Sequence, residues 1–190
     1  MPHKVRVTRK MILDVSFDIV RKEGHENLNA RRIAERLGCS TQPVLYNFKT
    51  VDEIRAEVYR IADKYHSGYI MLDEAVDQDP LLALGLNYIR FGHEERHLFR
   101  FLFQTNQFGG MNIDTLINDP QLSAVIGMIA KGMKCGGVEA REMFLLFFVA
   151  AHGYASLLAN NAMEYDEEQS VKMLEAMYDN LFPFQEGGSL

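Results

Sequence analysis

A chain of 190 residues, 47% hydrophobic and 24% charged with only five prolines, has the composition of an ordinary soluble globule, which excludes fibrous and disordered classes. Its formal net charge of −6 would speak against a polyanionic partner, but residues 1–49 carry ten Lys and Arg against five acids while the remainder carries ten against twenty-one. A basic segment therefore precedes an acidic body, and the two are expected to meet different partners.

Apolar Ile12, Val15, Ile19 and Val20 fall at helical spacing between Thr8, an N-cap residue, and Gly24, a stop, which predicts a first helix. A short second helix is expected after Asn29, with Ile33, Ala34 and Leu37 on one face and Gly38 ending it. Ser40 opens a third helix to about Asn47, where Pro43 is tolerated in the first turn. Thr50 with Glu53 reads as a capping box for a long fourth helix carrying Ile54, Val58, Ile61, Ala62, Tyr65 and Tyr69.

Asp79-Pro80 and Asp119-Pro120 each read as a cap followed by a first-turn proline, so helices are expected to start there, with a glycine-rich loop over 106–112 between them. Gly136 and Gly137 interrupt the chain before an apolar helix over 143–163, expected to be buried on two sides. Asp166 with Gln169 caps a last helix bearing Val171, Leu174, Tyr178 and Leu181, ended by Pro183 and followed by a frayed tail. No segment alternates over a strand's length, so the fold class is all-α with eight or nine helices. The continuous apolar run at 143–151 spans nine residues, short of the roughly 20 a membrane span needs; no membrane partner is expected. Cys39 and Cys135 are expected to be free thiols in a reducing cytoplasm.

Two short helices joined by a glycine-containing turn in the basic segment have the form of a helix-turn-helix, whose second helix enters the major groove of duplex DNA. Leu37, Val44 and Phe48 suit the inner side of such a unit. Thr41, Gln42, Pro43 and Tyr46 are left on the exposed start of the third helix. Gln pairs bidentately with adenine, Thr donates or accepts, and apolar edges meet thymine methyls. Thr8, Arg9, Arg31, Arg32, Asn47, Lys49 and Thr50 lie at helix ends, where they are expected around backbone phosphates.

The stretch over residues 12–54, with Gly24, the Ile33-Ala34 pair, Gly38-x-Ser40, and Tyr46, Phe48 and Lys49 closing the third helix, resembles the N-terminal domain of the TetR family, the tetracycline-repressor-like regulators. Residues 90–103 and 150–161 are similar to the family's C-terminal domain type named for a Trp-His-Gly pattern; His152 and Gly153 match, and Phe148 stands where the tryptophan would be. Leu45 and Val51 depart from the family, which commonly has a phosphate-binding tyrosine and a lysine there. The resemblance implies a helix-turn-helix DNA-binding domain over 1–50, a connecting helix over 51–75 and a ligand-binding and dimerisation domain over 76–190. It also implies a homodimer on a pseudo-palindromic double-stranded DNA operator, released by an unknown small-molecule effector that shifts the fourth helix. The last two helices would build the dimer interface. Phe91, Phe99, Phe103, Phe108, Met111, Phe144, Phe147, Phe148 and His152 are the candidate lining of an apolar ligand site.

Residues 93–97 read His-Glu-Glu-Arg-His, the H-E-x-x-H of zinc hydrolases, where one helix carries two imidazoles a turn apart and a glutamate as base. The charged x positions, Gly92 before them and the absence of strand patterns weigh against that reading. Neither a cofactor, a metal nor a catalytic residue is expected. A metal-dependent hydrolase using His93, Glu94 and His97, and a ligand-independent DNA-organising protein, are the alternatives.

Overall fold

The computed structural model describes residues 6–71, 80–106, 110, 112–161 and 163–181, and among them every regular element is helical. Ten α-helices follow in order: α1 Arg9–Glu23, α2 Ala30–Leu37, α3 Thr41–Asn47, α4 Val51–Ile70, α5 Pro80–Glu94, α6 Arg96–Phe103, α7 Ile113–Ile117, α8 Ser123–Met133, α9 Gly137–Asn160 and α10 Glu167–Leu181. They divide into two compact units, one built from 1–68 and 95–107, the other from 69–94 and 108–190.

In the first unit, local chemistry sets the helix ends. Thr8 caps α1, its Oγ1 accepting the Met11 N–H at 3.3 Å, and Asn29 caps α2 by accepting the Arg32 N–H at 2.9 Å. Such caps are worth roughly 1 kcal/mol each. Gly38 ends α2 in the left-handed region at φ 64°, and the Cys39 N–H reaches back to the Ala34 carbonyl at 3.0 Å, so the chain turns sharply into α3. Ile12, Ile19, Val20, Ile33, Val44, Phe48, Ile54 and Val58 are buried, and α6 adds Leu98, Phe99, Phe101 and Leu102 to the same core.

The second unit is a packing of longer apolar helices in which α5 lies along α9 and α10, and α8 along α9. Gly85 and Gly92, two turns apart on α5, make this possible. A Cβ on Gly85 would stand 2.7 Å from the Phe147 ring, and one on Gly92 2.8 Å from the Ala155 carbonyl oxygen and Cβ. Asp166 Oδ1 accepts the Gln169 N–H at 3.0 Å and starts α10 as its sequence pattern predicts.

Several expectations change. The H-E-x-x-H stretch over 93–97, which the zinc alternative needs on one helix, is divided between α5 and α6, because the chain breaks at Glu95 (φ −113°, ψ 42°). Of the expected 106–112 loop, 107–109 and 111 lie outside the described residues, Asn112 caps α7 with its side chain, and the Asp119-Pro120 start is a 3-10 turn (Pro120–Leu122) before α8 begins. Asp79 and the tail beyond 181 lie outside the described residues. Helix α9 begins at Gly137 and spans 24 residues with a mean hydropathy of 1.5 in its best window, so by length and composition it reaches what a membrane span needs, contrary to the nine-residue estimate. Nor is it buried on two sides: Ala140, Phe144, Phe147, Ala151 and Ala155 face inward, while Val138, Leu146, Val149 and Leu157 are exposed.

Candidate nucleic-acid interface

The exposed start of α3 is the most distinctive surface of the first unit. Val44 and Phe48 point into the core beneath it, and the helical period then turns Thr41, Gln42, Leu45 and Tyr46 outward, with Pro43 half-buried. Tyr46 is 85% exposed, unusual for an aromatic with no partner-facing role. Arg6, Val7, Gly38, Cys39, Gln42, Pro43 and Tyr46 line a groove along this side, shared with Met11 and Asn47.

Around it, the polar residues divide into those facing outward and those holding the unit together. Arg9 donates to the Asn47 carbonyl at 2.5 Å, pairs with Glu53 at 3.2 Å and places its guanidinium 3.8 Å over the Phe48 ring. Asn47 turns its amide inward, donating to the Pro43 carbonyl at 2.8 Å and the Val7 carbonyl at 3.3 Å. Both residues thus clamp the end of α3 rather than project from it. Thr50 Oγ1 accepts the Glu53 N–H at 3.1 Å, while the Glu53 carboxylate accepts the Lys49 N–H at 2.9 Å. That hydrogen bond, with Arg9 beside it, holds the Glu53 carboxyl below the usual range.

Arg32 is paired with Glu23 at 2.9 Å and Glu35 at 2.8 Å, and Arg36 also reaches Glu23, so neither stands ready for phosphate as the sequence suggested for Arg32. Their guanidinium groups hold the Glu23 carboxyl low. Among the described Lys and Arg of residues 6–49, Arg6, Arg31 and Lys49 are exposed and in none of the ion pairs found there. Arg6 was not singled out from the sequence; its place before the Thr8 cap, at the start of a helix lying beside α3, was the available signal.

The candidate ligand residues are split by the fold. Phe144, Phe148 and His152 form a cluster with Tyr88 in the second unit, with ring separations of 5.8, 5.6 and 5.7 Å and a 2.8 Å hydrogen bond between Tyr88 Oη and His152 Nδ1. Burial raises the Tyr88 phenol far above its ordinary value and lowers His152. Both shifts favour the neutral forms, so the pair meets as an un-ionised phenol and a neutral imidazole. Phe91 and Phe147 are buried in the same unit, Phe91 edge-on to Tyr69 at 5.3 Å. Phe99 and Phe103, by contrast, belong to the first unit, 5.0 Å from each other, with His66 edge-on to Phe103. Phe108 and Met111 lie outside the described residues. Sequence reasoning missed Tyr88, whose helical spacing from Phe91 and Gly92 gave it no distinguishing mark.

The H-E-x-x-H stretch loses the geometry that zinc chemistry requires, because the helix that should carry both imidazoles stops at Glu94. His93 stacks on Tyr165 at 4.8 Å, Glu94 accepts the Tyr69 hydroxyl at 2.5 Å, and Glu95 is buried in an ion pair. Among the described residues no group of three or more His, Cys, Asp or Glu is placed to hold a metal ion.

A family model described as the tetracyclin repressor-like C-terminal domain matches residues 81–181, more than half of the chain. The chain belongs to the tetracycline-repressor-like family. It is accordingly a transcription regulator, and the match stands at the level of the family, without the Trp-His-Gly subdivision. A transcriptional regulator from Rhodococcus sp. Rha1 has a similar structure, with a TM-score of 0.61 at 18% identity over 92% of this chain and 96% of that one. A TetR-family member from Streptomyces coelicolor A3 gives a TM-score of 0.58 at 19% identity, covering 93% of this chain and 98% of that one. At these identities the likeness is one of fold. Among curated proteins none matches this tetracycline-repressor-like chain.

Proposed function

We propose that the protein is a homodimeric, cytoplasmic, non-enzymatic repressor that binds a pseudo-palindromic operator through α3 and releases it when a small apolar molecule enters the second unit. The observation that carries the DNA-binding part is the outer face of α3, where Thr41, Gln42 and Tyr46 stand outward from a core of Val44 and Phe48. In this reading Thr41, Gln42, Pro43 and Tyr46 meet base edges, and Arg6, Thr8, Arg31, Lys49 and Thr50 meet phosphates. Arg9 and Asn47 set the angle of the reading helix.

Two-fold symmetry in the operator calls for a two-fold protein. The exposed face of α9, with Leu146 57% and Val149 53% exposed, supports a second copy as its partner. The aromatic cluster of Tyr88, Phe144, Phe148 and His152 supports an aromatic or otherwise flat apolar effector, which can act only through its differential affinity for two dimer geometries.

The test is selection of duplexes from a random pool, repeated with Gln42→Ala combined with Tyr46→Ala. Lost bidentate and apolar base contacts are worth about 1–3 kcal/mol each, so the variant should lose specific binding by two to three orders of magnitude with its helix content unchanged. Undiminished affinity for the selected duplex would refute the assignment.

A further inference from the structure

The chain leaves its N-terminal unit at Gly68 and re-enters it at Glu95. The residue at the point of return is a carboxylate whose side chain is only 8% exposed. Arg21 Nε lies 2.9 Å from each of its oxygens, Arg21 Nη2 pairs with Oε1, and the Tyr65 hydroxyl donates to the same oxygen at 2.9 Å. The guanidinium lies 5.0 Å over the Tyr65 ring, which meets Phe17 edge-on at 5.7 Å. One buried carboxylate thus ties α1, α4 and α6 together. Its own carbonyl accepts the Phe99 N–H at 2.8 Å and starts α6.

Such a pair gives little net stability, since drawing the carboxylate out of water offsets much of its attraction to the part-exposed guanidinium, and apolar residues of similar volume hold helices at least as well. What a forked guanidinium adds is direction, because its donors meet the two carboxylate oxygens in one orientation only. Arg21 sits twelve residues along α1 from Arg9, about 18 Å at the helical rise, and Arg9 grips the end of α3 through Asn47 and Phe48. A rigid helix therefore runs from the buried carboxylate to the reading helix.

We propose that Glu95 is a positioning residue for the DNA-reading head: through Arg21 and Tyr65 it sets the orientation of α1, and with it α3, at the point where the chain arrives from the C-terminal unit. The proposal rests on the DNA-binding reading above. Glu95 acts on α3 through α1, without any contact of its own to DNA.

Glu95→Gln keeps the shape and one acceptor but removes the charge; Arg21→Met and Tyr65→Phe remove the donors, the last with least risk to folding. Binding is measured to the duplex that the wild-type protein selects from a random pool and to an unrelated duplex, across a salt series, with circular dichroism for helix content. Glu95→Gln and Arg21→Met should each lose at least tenfold in affinity for the selected duplex, Tyr65→Phe less, and Glu95→Gln combined with Arg21→Met no more than the worse of the two alone. Affinity for the unrelated duplex and the salt slope should stay as in the wild type, because the phosphate contacts are intact. Equal loss on both duplexes would mean plain local unfolding, and unchanged specific affinity would mean no positioning role; either overturns the proposal. A wild-type protein that selects no duplex refutes the DNA-binding reading, and this inference with it, before any variant is compared.

Discussion

The two units of this protein are held by opposite means. The first is small and basic, with short helices fastened at their ends by side chains: Thr8, Asn29, Gly38 and Thr50 set boundaries, and Arg9, Arg21 and Arg32 reach carboxylates or carbonyls. The second holds its longer helices by close apolar contact, with glycines where α5 meets α9 and a row of aliphatic residues left exposed on α9. Polar fastening gives orientation, which a reading head needs. Apolar packing has little directional demand and suits the interface between copies proposed above.

The comparison breaks most decisively at the exposed face of α9. Leu146→Glu with Val149→Glu should convert the proposed dimer to monomer, raising its dissociation constant at least a hundredfold in sedimentation equilibrium, with little change in helix content; a dimer of unchanged affinity would remove this face from the assembly. The first unit should in turn carry the acid sensitivity. His66 is 8% exposed, and burial lowers it to about 4 from 6.5. Below pH 6.5 the unfolded chain takes a proton that the folded one refuses. Stability is therefore complete above pH 6.5 and falls as the pH drops to about 4, by about 3 kcal/mol in all. His152, also lowered by burial, adds to the same trend from the second unit. Denaturant unfolding at pH 7.5 and 4.5 should show the loss, and His66→Phe should remove most of it.

A smaller effect sharpens the contrast in packing. Gly92→Ala should cost about 1–3 kcal/mol by overpacking against Ala155, whereas Gly127→Ala on α8, whose added Cβ meets nothing within 4 Å, should be neutral or slightly stabilising. Matching thermal shifts for the two would contradict the close approach of α5 to α9. Smallest of all, Thr50→Ala should cost about 1 kcal/mol by uncapping α4, measured as a lower denaturant midpoint.

The elements of the first unit were legible because their signals are local. An N-cap needs its side chain within three residues of the amide it satisfies, and Gly38 ends a helix whatever lies beyond it. The same locality let Thr41, Gln42 and Tyr46 be placed outward of Val44 and Phe48 before any coordinates. What the sequence misjudged was commitment. Arg9 and Arg32 look like free cations until Glu53, Glu23 and Glu35 are found beside them, the first of these 44 residues away.

The second unit was legible only in outline. Its apolar helices all satisfy the same periodicity, so nothing in the pattern separates Phe99 and Phe103, which join the first unit, from Phe144 and Phe148, which do not. The H-E-x-x-H spelling assumed a continuous helix, and the break falls at Glu95, whose carboxylate meets Arg21, 74 residues earlier. Sequence alone determined the all-helical class, the capped boundaries and the outward face of α3, because each follows from interactions within one or two turns. Tertiary structure decided which charges are occupied, which aromatics share a core and where the long apolar helix remains bare, since those depend on groups that meet only when distant segments pack.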